Sequence, residues 1–344
     1  MAATIMNGNG NAHKEPTVCV TGAAGFMASW LVKRLLDKGY TVHATVRDPD
    51  TKAKVHHLLD IPGAAERLKL FRAELSEDGS FDAAVAGCLG VFHVATPTEF
   101  APKDHENDMI KPAIDGTLNV LRACTKAKTV KRVVVTSSAA TTSINQSAEQ
   151  NQYIDESCWT DVDFLRTVKP PTWSYLVSKT LAEQAALQYG KEQELDVVTI
   201  IPVLNVGPSI TPSVPSSVQL ALCLLTGNPY MLPGLKGMQL ISGSVSLVHV
   251  DDVCSAQIFL MENPSAQGRY ICSPINTSVP QLAKYLSKRY PQYNVPTEFE
   301  DVPEIPKVNI SSKKLVESGF SFKFGIDGIF DDAVEYLKTK GLLN

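Results

Sequence analysis

The apolar positions fall into short β-branched runs separated by longer stretches with helical spacing. Residues 17–21 (TVCVT) form a continuous run of strand length. Residues 26–38 follow, with Leu31, Leu35 and Leu36 on one face and Gly39 to close the segment, which predicts a strand–turn–helix unit. Runs at 40–46, 68–72, 90–94, 132–136 and 197–201 continue the strand series, with the clearest helices at 115–126 and 178–194. Strands that are apolar on both faces and alternate with helices predict an α/β fold, a doubly wound and mostly parallel sheet. Beyond Ile201 the rhythm changes. Residues 207–237 are rich in Gly, Pro and Ser around one helix-like stretch at 216–226. Strands near 247–250 and 269–272 and helices near 279–290 and 327–340 complete a smaller C-terminal region.

The turn after the first strand reads Thr21-Gly22-Ala23-Ala24-Gly25-Phe26-Met27-Ala28, a GxxGxxA pattern. Between a strand and a helix, Gly22 permits a tight turn, Gly25 a close backbone approach to pyrophosphate, and Ala28 close helix–strand packing. The amides at the helix start favour phosphate. At the end of the second strand an NAD site carries an acid, whereas this chain has Arg47, which suits a 2′-phosphate, with Lys54 as a second charge. Glu74 and Leu75 follow the third strand, where a loop reaches adenine. The run from Val94 through Ala95 and Thr96 to Pro97 follows the fourth and passes beneath the ribose. The chain therefore divides into a disordered lead-in at 1–15, a dinucleotide-binding domain of the Rossmann type at 16–206, and a mostly substrate-binding region at 207–344, with segments near 245–262 returning to the main domain.

Tyr175 and Lys179 form a YxxxK pair four residues apart on one helix face. A lysine ammonium beside a phenol favours the phenolate, so the expectation is that Lys179 lowers the Tyr175 pKa, letting Tyr175 act as acid in a reduction while Lys179 also holds the nicotinamide ribose. A serine at 137 or 138, at the end of the fifth strand, is placed to bond the substrate oxygen or Tyr175. The absence of a GxSxG elbow argues against a hydrolase. His249 sits between an apolar strand and an acidic helix start, which reads as a cap. Trp159 and Trp173 flank the site as lid or core.

Composition narrows the partners. The 344 residues are 44% hydrophobic with a net charge of -4, and the pI of about 6.0 leaves no electrostatic footprint for nucleic acid. Seven cysteines without a CxxC pair point to reduced thiols and a cytoplasmic protein, not a disulfide framework or zinc site. No HExxH pattern marks a metal, and the longest apolar run, 218–225, is too short for a transmembrane segment. No secretory h-region precedes the first strand, and nothing in the sequence sets an oligomeric state.

TGAAGF, VATP, VVVTSSA, YLVSKTLAE and VHVDDV together resemble the extended short-chain reductases, specifically the plant dihydroflavonol reductase group, over nearly the whole chain. Within that group ENDMIKPAI (106–114), KPPTWSYLVSKTLAE (169–183), KGMQLISGSVSLVHVDDVCSAQIF (236–259), SVPQLAKYLSKRYPQY (278–293) and FSFKFG (320–325) are most similar to the anthocyanidin reductases. The resemblance implies NADPH as cofactor and a flavonoid substrate, with reduction of anthocyanidins such as cyanidin to flavan-3-ols such as epicatechin. It implies Ser138, Tyr175 and Lys179 as the catalytic set. It also implies Gly22, Gly25, Phe26, Arg47, Lys54, Ala95, Thr96, Pro202 and Ser217 around the cofactor, and Pro97, Asn145 and Leu204, with Ser138 and Tyr175, around the substrate. Departures are Glu74, where the group has Asp; YLVSK, nearer the dihydroflavonol reductase form; and Pro202-Val203-Leu204-Asn205. The alternatives are dihydroflavonol 4-reductase and, more remotely, a non-catalytic dinucleotide-binding sensor.

Overall fold

Continuous apolar runs become interior strands because helices cover both faces of the sheet they enter. The computed structural model describes residues 16–97, 102–142, 144 and 153–344. The lead-in at 1–15 and Asn145 lie outside the described residues. The strands are β1 (Thr17–Val20), β2 (Thr41–Val46), β3 (Leu68–Arg72), β4 (Gly90–His93), β5 (Arg132–Thr136), β6 (Tyr153–Ile154), β7 (Val197–Pro202), β8 (Leu204–Val206), β9 (Val245–His249), β10 (Gly268–Cys272), β11 (Ile275–Thr277) and β12 (Asn309–Ile310). Seven of them form one parallel sheet in the order β10-β7-β5-β4-β1-β2-β3. The order reverses between β1 and β4, which opens a crevice at the carboxyl ends of those strands, the place where ligands bind in such sheets.

Helices Phe26–Asp37 and Val250–Glu262 pack together on one face of the sheet, burying Leu31, Leu35, Val253 and Leu260 with Val20 and Val134. Helices Lys111–Ala127 and Trp173–Glu192 pack on the other, burying Val120, Cys124 and Ala186 with Val133 and Val135. Only Val203 separates β7 from β8, yet β8 leaves the main sheet and pairs with β9, which pairs with β11. This smaller sheet closes a second core with Val206, Leu247, Leu282 and Phe330. β6 and β12 form a short separate ladder.

Several elements differ from their sequence expectation. The long helix begins at Trp173, not at Ser178. Pro170 and Pro171 precede it, Thr172 turns the chain with φ 64°, and the Trp173 amide bonds the Pro170 carbonyl at 3.0 Å, so the first turn can start there. The stretch 216–226 is two helices, Ser216–Ala221 and Cys223–Thr226. The Gly- and Pro-rich segment after it contains a helix, Leu232–Ser242, whose proline lies in the first turn where its missing amide hydrogen is no loss. A π-helical turn, His105–Ile110, leads into Lys111–Ala127; Asp104 caps it by accepting from the amides of Glu106 and Asn107. Among the described residues no helix is long and apolar enough to cross a membrane.

Candidate active site

The turn after β1 is built around a position closed to any side chain. Gly22 has φ +67°, and a Cβ there would stand 2.9 Å from the Ala95 Cα, so β1 and the chain after β4 approach backbone to backbone. The Gly25 amide bonds the Gly22 carbonyl at 3.0 Å, and Gly25 begins the helix Phe26–Asp37 with no acidic residue in its first turn. The positive end of that helix is thus left to face a phosphate. Thr21 Oγ1 accepts from the amides of Val94 (3.1 Å) and Ala95 (3.0 Å). Its hydroxyl hydrogen then goes to His93 Nδ1 at 2.9 Å, leaving His93 Nε2 to donate to Thr117 Oγ1 at 3.3 Å. Burial, with the nearby Lys179 charge, pushes the His93 pKa down to about 3, consistent with this neutral ring bracing the crevice.

A cleft of about 630 Å³ runs from this corner to the surface, lined by Gly25, Phe26, Arg47, Lys54 and the segment Thr211 to Ser213 with Pro215. Arg47 is exposed at its rim. Lys54 is tied to Asp48 at 3.3 Å. Ser217 stands two residues beyond Pro215, half-buried on the helix Ser216–Ala221. Glu74 and Leu75 follow the edge strand β3 and do not line this cleft. Ser80 Oγ bonds the Glu74 carbonyl at 2.8 Å, and Asn119 Nδ2 donates to the Leu75 carbonyl at 2.9 Å. Ala95, Thr96 and Pro97 are half-buried after β4, Pro202 is buried at the end of β7, and Leu204 is half-buried at the start of β8.

The first turns of Trp173–Glu192 meet the end of β5. Tyr175 and Ser138 are hydrogen-bonded through their side chains, and Ser138 Oγ also accepts from the Ala140 amide at 3.2 Å. Ser137 turns elsewhere: its hydroxyl donates to Glu183 Oε2 at 2.5 Å. The two serines, equivalent as sequence, are thereby separated, and only Ser138 joins Tyr175. Lys179 is buried and donates from Nζ to the Thr136 carbonyl at 2.9 Å. Burial lowers its pKa to about 8, against the opposing pull of Glu183. The Tyr175 phenol is shifted upward by burial, with the Ser138 hydrogen bond acting in the other direction. The expectation that Lys179 lowers Tyr175 is therefore corrected for the chain by itself. Burial outweighs the other influences, and the ammonium is engaged by the strand carbonyl. Tyr175 is held as the neutral phenol, the form an acid needs.

Sequence reasoning passed over His93, Glu183 and Arg269. His93 looked like an ordinary residue of an apolar strand. Glu183 and Arg269 form a buried ion pair at 2.9 Å; the spacing 175, 179, 183 was the available signal for Glu183. Asn205 is buried on β8, its side-chain amide without a hydrogen-bond partner among the described residues. His249 caps Val250–Glu262 by accepting from the Asp251 amide at 3.0 Å and stacks on Phe324. Trp159 lies under the Arg269 guanidinium at 3.5 Å, and Trp173 packs against His105.

The NAD dependent epimerase/dehydratase family profile matches residues 18–272. The chain belongs to that family. This family member is 75% identical over 332 residues to a Ginkgo biloba protein provisionally named an anthocyanidin reductase, with 96% of this chain and 97% of the relative covered. It is 58% identical over 329 residues to a (2S)-flavan-3-ol-forming anthocyanidin reductase of Vitis vinifera, covering 96% and 97%. Dihydroflavonol 4-reductase of Dianthus caryophyllus is 52% identical over 328 residues, covering 95% and 88%. Among solved structures, vestitone reductase from alfalfa (Medicago sativa) superposes with TM-score 0.82 at 41% identity over 96% of this chain and 100% of that one. Gre2 of Candida albicans in complex with NADPH superposes with TM-score 0.79 at 27% identity over 94% and 99%.

Proposed function

We propose that this epimerase/dehydratase family member is an NADPH-dependent oxidoreductase that reduces anthocyanidins, such as cyanidin, to flavan-3-ols, such as epicatechin. The observation that carries the chemistry is the Ser138–Tyr175 hydrogen bond, with buried Lys179 one turn further along the helix. The full-length similarity to anthocyanidin reductases supports the substrate.

The residues present fit the dinucleotide. The Gly22 position leaves the backbone bare, the acid-free start of Phe26–Asp37 would hold the pyrophosphate, and Arg47 with Lys54, at the cleft rim, would hold the 2′-phosphate. Phe26, Ala95, Thr96, Pro202 and Ser217 would complete the cofactor contacts in this reading, with Lys179 on the nicotinamide ribose, whereas Glu74 and Leu75, off the lining of the cleft, drop out of it. Bound NADPH supplies hydride; reduction of a flavylium cation to a flavan-3-ol takes two hydrides and one proton. Tyr175 holds that proton at its phenol oxygen, Ser138 orients the phenol and the substrate oxygen, and Lys179 stabilises negative charge as the proton leaves. In this reading Pro97 and Leu204 would line the flavonoid side, with the region from residue 207 onward closing over it; Asn145, the third residue expected there, lies outside the described residues. The seven cysteines are free, which supports a cytoplasmic enzyme.

Dihydroflavonol 4-reductase is the second reading, favoured by the YLVSK form of the catalytic helix and by the Dianthus relative. A non-catalytic sensor fits poorly with an assembled Ser138–Tyr175–Lys179 set. The deciding experiment incubates the protein with NADPH and either cyanidin or dihydroquercetin and identifies the products by chromatography and mass. Flavan-3-ol from cyanidin is the expected outcome; consumption of dihydroquercetin alone would reassign the substrate.

A further inference from the structure

Glu183 is 2% exposed, deeper than a carboxylate sits without partners. Its partners are specific. Oε2 accepts from Ser137 Oγ at 2.5 Å, and Oε1 from Thr199 Oγ1 at 2.7 Å and Arg269 Nε at 2.9 Å. Arg269 is itself held by the carbonyls of Glu156 (2.8 Å) and Cys158 (2.6 Å), and by Thr141 Oγ1 at 3.1 Å. This cluster ties β5, β7, β10 and the helix Trp173–Glu192 together immediately behind the Tyr175–Ser138 contact.

A pair serving stability alone has no need to stand in line with the catalytic side chains. Glu183 does: residues 175, 179 and 183 repeat every four along one helix face. Among the described residues, three charged or titratable groups neighbour Lys179. Tyr175 lies one turn back, Glu183 one turn forward, and His93 across from β4, neutral and uncharged. Arg269 stands beyond Glu183 and answers part of its charge. Glu183 is the anion whose field reaches the ammonium, and Ser137, which it anchors, is covalently next to Ser138 and to the Thr136 carbonyl that Lys179 grips.

We propose that Glu183 is a positioning residue for the reduction: through Ser137 it fixes the end of β5 that aims Ser138 at Tyr175, and its charge holds Lys179 as the ammonium. This rests on the reductase reading above. The test compares the full-length wild-type protein with Glu183→Gln and Ser137→Ala. Folding is checked by circular dichroism and the Lys179 titration by NMR of lysine-labelled chain without cofactor. The kcat pH profile is taken with NADPH and whichever flavonoid the wild type reduces. Glu183→Gln lowers kcat about tenfold and moves the alkaline limb and the Lys179 midpoint downward by about one pH unit, because losing the anion makes the ammonium easier to deprotonate. Ser137→Ala keeps the carboxylate, so its kcat falls about fivefold with the limb in place. An unmoved limb and midpoint in folded Glu183→Gln overturns the proposal whatever happens to kcat. If Glu183→Gln does not fold, Ser137→Ala decides alone, and a wild-type kcat there overturns it. A wild-type protein that reduces no flavonoid defeats the reductase reading instead, which is a distinguishable result.

Discussion

The two ends of the proposed cofactor crevice are constructed differently. At the β5 end, Ser137, Ser138, Lys179, Glu183, Thr199 and Arg269 are each bonded to another part of the chain, and all but Ser138 are buried. At the rim, Arg47 is exposed, and among the described residues the Lys54 ammonium is held by Asp48 alone. The difference follows from what each end must do. Proton transfer depends on donors held in place before the substrate arrives, and burial makes their hydrogen bonds count. Charge recognition of a phosphate tolerates movement, because a guanidinium at the surface can swing onto its partner.

That contrast can be broken in order of expected effect. Tyr175→Phe removes the proton donor while leaving the ring packed; kcat should fall about 10²- to 10⁴-fold with NADPH affinity retained, as seen by steady-state rates and nucleotide fluorescence. Persistent turnover would mean the proton comes from elsewhere. Gly22→Ala forces a side chain into a left-handed position against Ala95 and should cost about 1–3 kcal/mol, appearing as a lower Tm and weaker NADPH binding together. If only binding changed, the corner would be less rigid than the geometry indicates. Arg47→Ser should weaken NADPH about tenfold and leave NADH nearly untouched, since one charge-assisted contact is lost. Lys54→Ala should change NADPH affinity by less than about threefold, because an exposed ion pair already shares that ammonium. Equal losses at Arg47 and Lys54 would show that the rim acts as a built pocket and not as loose surface charge.

Much of this was legible in the amino-acid order. Runs such as RVVVT and the leucines of Phe26–Asp37 specify strand and helix by period alone, because side-chain direction repeats every two residues in one and every 3.6 in the other. The glycine corner and the YxxxK pair were readable for the same reason: their parts are close in sequence, and local geometry makes them neighbours. The break at Leu222, the helix in the Gly- and Pro-rich stretch and the π-helical turn were not, since packing against distant residues overrides weak local preference.

What tertiary structure alone decided is which polar group meets which. No local rule distinguishes Ser137 from Ser138. One is claimed by Glu183, 46 residues away in sequence, and the other by Tyr175. Nor does spacing reveal that burial, not the neighbouring ammonium, sets the direction in which the Tyr175 phenol shifts. Residue types and their periodicity determined the sheet, the phosphate corner and the presence of a phenol–ammonium pair. Desolvation and long-range contacts, which exist only once the chain has closed on itself, determined the protonation and aim of each group.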